Sequence, residues 1–143
     1  MPDVHSKEIR SYNMSRIKSK NTKIELLLAK ELWGRGVRYR KNDKTIYGKP
    51  DFSLKGIKLA IFCDSEFWHG KDIDSIEKRI DTNKDFWISK IQRNIARDVK
   101  VNEKLTIDGW LVLRYWEKDI KRNIQLIADD IIEKIKKLKV NNN

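Results

Sequence analysis

Hydrophobic positions recur at helical spacing in three parts of the chain, and the runs between them are short and strand-like. Thr22-Lys23-Ile24-Glu25 has the spacing of a capping box, and Ile24, Leu27, Leu28 and Leu32 follow at intervals of a helical turn until Gly34 and Gly36 break the pattern. This predicts a helix over roughly residues 22–35. Val37 to Arg40 reads as a first strand, Asn42 to Gly48 as a loop, Pro50 to Leu54 as a second strand and Lys55-Gly56 as a tight turn. Ile57 to Cys63 makes a third strand. Its run LAIFC does not alternate, so it is expected to be covered on both faces.

The segment 70–83 is polar and without period, and is expected as a surface loop. From Lys84, the positions Trp87, Ile88, Ile91, Ile95, Val99, Val101 and Leu105 mark a long amphipathic helix that stops near Asp108-Gly109. Trp110 to Tyr115 reads as a strand, and Ile120 to Leu138 as a last amphipathic helix with a basic end. Helix, three strands, helix, strand, helix is the order of an α/β sheet with helices on its faces. Residues 1–21 are polar and net basic, with Met14 and Ile17 as isolated apolar positions, and read as an arm. The expected organisation is this basic arm, one domain over 22–139 and a frayed tail over 140–143.

The 143 residues suffice for one domain core but not for two. Lys and Arg outnumber Asp and Glu by 32 to 21, a formal net charge of +11, which favours an anionic partner, nucleic acid first, over a merely solubilising surface. Cys63 is the only cysteine, which excludes an internal disulfide and an all-cysteine zinc site and suits a reducing cytoplasm. No apolar run approaches the roughly 20 residues of a membrane-spanning helix, and MPDVHSKEIR has no hydrophobic signal region.

The chemistry-bearing residues gather around the third strand. Asp51 lies early in one strand and Asp64 just past the end of its hairpin neighbour, so both are expected at one edge of the sheet. Two carboxylates there, in a chain that favours a polyanion, fit a magnesium ion, which takes oxygen ligands and phosphate together. His69 has the right unperturbed pKa to take a proton from water. Metal and imidazole together make a phosphodiester hydrolase. Each residue also has a plainer reading: Asp51 as a strand-end carboxylate, His69 as a structural histidine, Glu25 as the capping-box carboxylate, Glu66 as a ligand or a solvated charge, Cys63 as a buried strand residue whose carbonyl could serve a metal. Phe67 and Trp68, ordinarily core residues, stand on a polar loop, where aromatic rings can wedge between bases.

Several strings, RSYNMSRIKSKNTKIE, GKPDF, IFCDSEFWHG, FWISKIQRNIARD and GWLVLRYWE, resemble in order and spacing the very short patch repair endonucleases, the Vsr family. The resemblance implies a PD-(D/E)XK restriction-endonuclease-like fold, a central mixed β-sheet flanked by α-helices. It implies a Mg²⁺-dependent nick beside a T:G mismatch left by deamination of 5-methylcytosine, on the bacterial nucleoid in the cytoplasm, with mismatch-repair proteins as further partners. A monomer is expected because no long apolar stripe is left over once the core is assigned. The resemblance further implies metal at Asp51 and Cys63, with Asp64 beside them, His69 as general base and Glu25 assisting around the metal waters. Phe67, Trp68 and Trp87 become the aromatic wedge, Met14 reaches the other groove, and Lys90 and Asn94 meet the mismatched pair. From spacing alone, Lys90 and Asn94 are only polar residues one turn apart on a helix.

Two departures stand out. Positions where relatives carry zinc ligands read Glu66, Lys71, Ile73 and Lys118, so no structural zinc is expected and the loop must be held otherwise. Asp64 stands where some relatives have histidine. The rival expectations are a restriction-like nuclease that cuts paired DNA and a non-catalytic DNA-binding module.

Overall fold

The capping-box stretch forms helix α1, Lys23–Gly34, in a computed structural model that describes residues 23–66, 69–71, 74, 78, 80 and 82–141. The expected arm, with Met14, and the wedge residues Phe67 and Trp68 lie outside the described residues. Gly36, at φ 89°, ends α1: its amide bonds the Trp33 carbonyl at 3.0 Å and the Val37 amide the Leu32 carbonyl at 3.0 Å, a Schellman closure that glycine adopts without strain. Val37 is spent on this closure and buried, so strand β1 is only Arg40–Lys41 and starts later than the hydrophobic pattern predicts.

Strand β2 is Phe52–Leu54, and a 3₁₀ turn, Lys55–Ile57, leads to β3, Leu59–Asp64. Lys58 closes that turn in the left-handed conformation, which delays β3 two residues beyond its expected start. Helix α2, Lys84–Ile107, falls where its pattern places it, and strand β4, Leu111–Trp116, starts and ends one residue later than expected. The last helix does not form as one piece: α3, Glu117–Arg122, and α4, Ile124–Asn141, are separated at Asn123, whose φ of −130° leaves the helical region and whose carbonyl accepts the Ile127 amide at 2.9 Å to start α4. Asparagine favours such caps over helix interiors. Helix α4 also runs two residues past the expected boundary at 139. Of the segment 70–83, expected as a loop, Asp74 and Lys78 are helical and much of the rest lies outside the described residues.

The four strands order as β1-β2-β3-β4, the first two pairings antiparallel and β3 parallel to β4. This is the mixed sheet of the restriction-endonuclease-like fold. Strand β3 is covered on both faces, as its unbroken apolar run requires. Leu59 and Ile61 join Leu28, Leu32, Ile120, Ala128 and Ile131 on the side of α1, α3 and α4, all essentially inaccessible. Ala60 and Phe62 join Ile46, Val101 and Leu105 beneath α2. Each such aliphatic side chain stabilises the fold by about 1.5–3 kcal/mol. Two cores clamp β3, and its carboxyl end is held rigidly where polar side chains begin. Among the described residues no helix is long and apolar enough to cross a membrane.

Candidate active site

Alternation along β3 sends Cys63 and Asp64 to opposite faces of the sheet, and two groups of polar residues form around its end. The first group lies toward α1. Asp51, just before β2, accepts the Cys63 backbone amide on Oδ2 at 2.7 Å. Glu25 turns inward from α1, only 4% exposed, and its carboxyl hydrogen-bonds that of Asp51. Burial first, then the Glu25 charge, push the Asp51 carboxyl up to about 8, while the Cys63 amide opposes the shift. A carboxyl–carboxyl hydrogen bond requires one proton between the two acids. The Cys63 thiol is held protonated well above its usual range by burial and by the surrounding carboxylates, so it offers no thiolate ligand.

The donor chemistry here fits a hard divalent cation. The side chains are oxygen ligands, they are withdrawn from water, and their mutual repulsion is of the kind a bound cation relieves. Glu117, the first residue of α3, adds a further acid: burial, then Glu66 and Glu25, raise its pKa. Glu117 escapes sequence reading because, in the string RYWE, it looks like any helix-start carboxylate.

The second group lies toward α2. Asp64 is 5% exposed and meets Arg114 of β4, whose Nη1 donates to both carboxylate oxygens at 3.0 and 3.2 Å. His69 stands beside them, its Nε2 3.7 Å from Asp64 Oδ1 and its Nδ1 paired with Asp98 of α2. Burial opposes charging of the imidazole, but the hydrogen bond to Asp98 and the charges of Asp64 and Asp98 outweigh it, and the His69 pKa is raised. Burial also raises the Asp64 pKa, against His69 and Arg114, which lower it. Ligand atoms of Asp64, His69 and Asp98 lie within 4.8 Å of one another, close enough to hold an ion, although Arg114 already supplies a cation there.

Asp51 and Asp64 therefore share the end of β3, but the carboxylate closest in effect to Asp51 is Glu25, and Asp64 belongs with His69. Position on the loop is fixed by Gly70, at φ 61°: a Cβ there would meet Ile95 at 2.5 Å and Ile91 at 2.9 Å, so only glycine lets the backbone after His69 press onto α2. Asp98 was invisible to sequence reading as a partner of His69, since 29 residues separate them. The signal available was an acid on the long helix at the spacing of its inward stripe.

That stripe carries the remaining candidates. Trp87, Lys90, Asn94 and Asp98 recur every three or four residues along α2, over about 16 Å at 1.5 Å per residue. Trp87 is 9% exposed, in edge contact with Phe86, and Lys90 Nζ lies 5.7 Å from its ring centre. Phe86 itself is 54% exposed, and sequence reading passed over it. Three of the four positions at which the resemblance suggested zinc ligands make other contacts: Glu66 accepts the Lys118 amide at 2.9 Å, and Lys71 Nζ stands 5.5 Å over the Trp116 ring.

The family model described as DNA mismatch endonuclease Vsr matches residues 2–75. Among curated proteins, the chain is 55% identical over 114 residues to the type II nicking enzyme V.HpaIIP of Haemophilus parainfluenzae, covering 80% of this chain and 81% of that one. It is 48% identical over 129 residues to the type II nicking enzyme V.NmeDIP of Neisseria meningitidis serogroup C, covering 90% and 87%. It is 35% identical over 135 residues to the DNA mismatch endonuclease Vsr of Escherichia coli K12, covering 94% and 86%.

Proposed function

From the premise that this chain belongs to the Vsr family and is a DNA endonuclease, we propose that it nicks one strand beside a T:G mismatch of the kind left when 5-methylcytosine deaminates, with Mg²⁺ as its metal, and so opens very short patch repair. The observation that carries the reading is the juxtaposition at the end of β3: a buried Glu25–Asp51 acid pair on one side of the strand and a His69–Asp98 pair on the other.

Asp51, Glu25 and the Cys63 carbonyl would hold the metal, with Glu117 nearby. When bound, Mg²⁺ supplies Lewis-acid stabilisation of the phosphate and the leaving oxygen. The protein's own residues do the rest. Asp98 accepts a hydrogen bond from His69 Nδ1–H and fixes the ring, which leaves Nε2 to accept a proton from the attacking water. Imidazole must be neutral for that step, so its raised pKa sets the acid limb of the rate. Asp64, also expected at the metal, faces this ring, its Oδ1 3.7 Å from Nε2.

Recognition falls, on this reading, to the aromatic wedge, the arm and the α2 stripe. Phe67 and Trp68, just before His69 in sequence, wedge into the duplex with Trp87, Met14 enters from the other groove, and Lys90 and Asn94 meet the mismatched pair from the α2 stripe. Unstacking costs least at a mismatched step, which favours the T:G site over paired DNA. The surplus of 11 positive charges holds the phosphates.

The test is nicking of a labelled duplex with one T:G pair in varied flanking sequence, beside its paired control, with and without Mg²⁺. Nicking of one strand of the mismatched duplex alone, dependent on Mg²⁺ and lost in Asp51→Ala and His69→Ala, supports the proposal. Equal cutting of the paired control would replace it with a restriction-like nuclease.

A further inference from the structure

An arginine in the middle of a strand flanked by two cores needs an explanation. Arg114 interrupts the apolar run of LVLRYW, pairs in register with Phe62, and has a side chain only 17% exposed. A leucine there would pack on Phe62 and Val112 without desolvating a charge, and buried ions give little net stability to a fold. Among the described residues, the polar contacts of Arg114 run to α2 and to the end of β3. Its Nε donates to Asn102 Oδ1 at 2.7 Å, its Nη1 to Asp64 Oδ1 and Oδ2 at 3.0 and 3.2 Å, and the same Nη1 stands 3.6 Å from Asp98 Oδ1. The guanidinium stands over the Phe62 ring, with Cζ 4.0 Å from its centre.

We propose that Arg114 is a positioning residue for the nicking reaction, holding the Asp64 and Asp98 carboxylates so that His69 keeps one ring orientation, with Nδ1 on Asp98 and Nε2 turned to the reacting water. The inference rests on the reading of His69 as the base.

The division of oxygens makes the argument. Asp98 gives Oδ2 to His69 and faces Arg114 with Oδ1. Asp64 has both oxygens on Arg114, while its Oδ1 lies only 3.7 Å from His69 Nε2. Without Arg114, Asp64 is released to bond Nε2, and the imidazole has two competing acids, one on each nitrogen. An arginine fork fixed by stacking and by Asn102 settles that competition. A lysine keeps the charge but lacks the Nε bond and the planar contact.

Two readouts test this. The chain contains only two histidines, His5 and His69, so ¹⁵N imidazole spectra are assignable by comparison with His69→Ala. In the wild-type protein, without DNA or metal, His69 shows one tautomer protonated at Nδ1; in Arg114→Met the pattern shifts or averages. On a T:G duplex at saturating Mg²⁺, Arg114→Met lowers kcat about 100-fold, the scale of a misplaced catalytic group, with KM within about twofold, and Arg114→Lys recovers to within about tenfold of wild type. An unchanged ring pattern, an unchanged kcat, or a rise in KM alone, as for a DNA contact, would each overturn the proposal. If Arg114→Met does not fold, Arg114→Lys decides: at least a fivefold fall in kcat with steady KM supports it, and wild-type kcat overturns it. Failure of the wild type to nick T:G duplexes, or full activity of His69→Ala, would instead strike the functional reading, and the ring spectra would still decide whether Arg114 positions His69.

Discussion

Asp51 concentrates the site's electrostatics in one side chain. Its pKa, pushed up to about 8 by burial and then by Glu25, means that the metal-free protein holds a proton between these acids at neutral pH. A cation must displace that proton, so Mg²⁺ affinity should rise nearly tenfold per pH unit below about 8 and level off above it. Calorimetric titration of metal in buffers of different ionisation enthalpy checks this; proton release near zero at pH 7 would refute it. The stability consequence has the matching sign. A folded pKa above the unfolded value gives stability that is present below about pH 4 and is lost as pH climbs through about 8. Metal-free Tm should therefore fall from pH 5 to 9, and Asp51→Asn should flatten that slope while abolishing nicking. For His69, Asp98→Asn removes a partner that raises its pKa, so the acid limb of the rate should move to lower pH while the plateau drops about 100-fold. A limb that moves upward would sink the pairing. Sequence reading singled out Asp51 and His69 because they sit in short strings next to an apolar strand, whereas Glu25 read as a capping-box carboxylate and entered the expected site only through the family resemblance. It could not reach Asp98 or Arg114, whose partners are 29 and 50 residues away and are joined only by the parallel pairing of β3 with β4 and the packing of α2.

Elements were legible where period and length agreed. The 24 residues of α2 repeat their apolar stripe often enough to exclude a strand, and the unbroken run of β3 correctly required cover on both faces. Ends were less legible, since caps act through backbone geometry: Val37 was taken by the α1 closure, Lys58 by a left-handed turn, Asn123 by a break between helices. The loop after β3 depends on one such end. Glu66 accepts the first free amide direction of α3 at Lys118, so it joins the loop carrying His69 to the helix carrying Glu117. Glu66→Ala should cost about 1 kcal/mol of stability, as for a lost helix cap, and should lower kcat by loosening His69. Denaturant melts and single-turnover rates test it together. A stability loss with full kcat would show that the tie holds the fold but not the catalytic ring, and added zinc should restore neither.

At the scale of the molecule, charge and shape act on different quantities. A surplus of 11 positive charges draws in any duplex, matched or not, through release of counterions. The proposed discrimination of a T:G step would have another origin, the lower cost of unstacking a weak pair and the contacts made once it opens, which depend less on bulk salt than phosphate contacts do. Affinity and selectivity should therefore separate. Between 50 and 200 mM salt, binding to mismatched and paired duplexes should weaken together, by about 10³-fold or more if six phosphates are neutralised, while the ratio of the two affinities changes less than about threefold. Fluorescence anisotropy with a catalytically inert Asp51→Ala protein measures both across the range. A ratio that collapses along with affinity would mean that phosphate contacts alone set the preference, and the wedge of Phe67, Trp68 and Trp87 would lose its role. A steady ratio that Trp87→Ala reduces, with the salt slope unchanged, would assign to the α2 stripe a share in reading the mismatch, at one end of the same stripe whose other end, Asp98, pairs with His69.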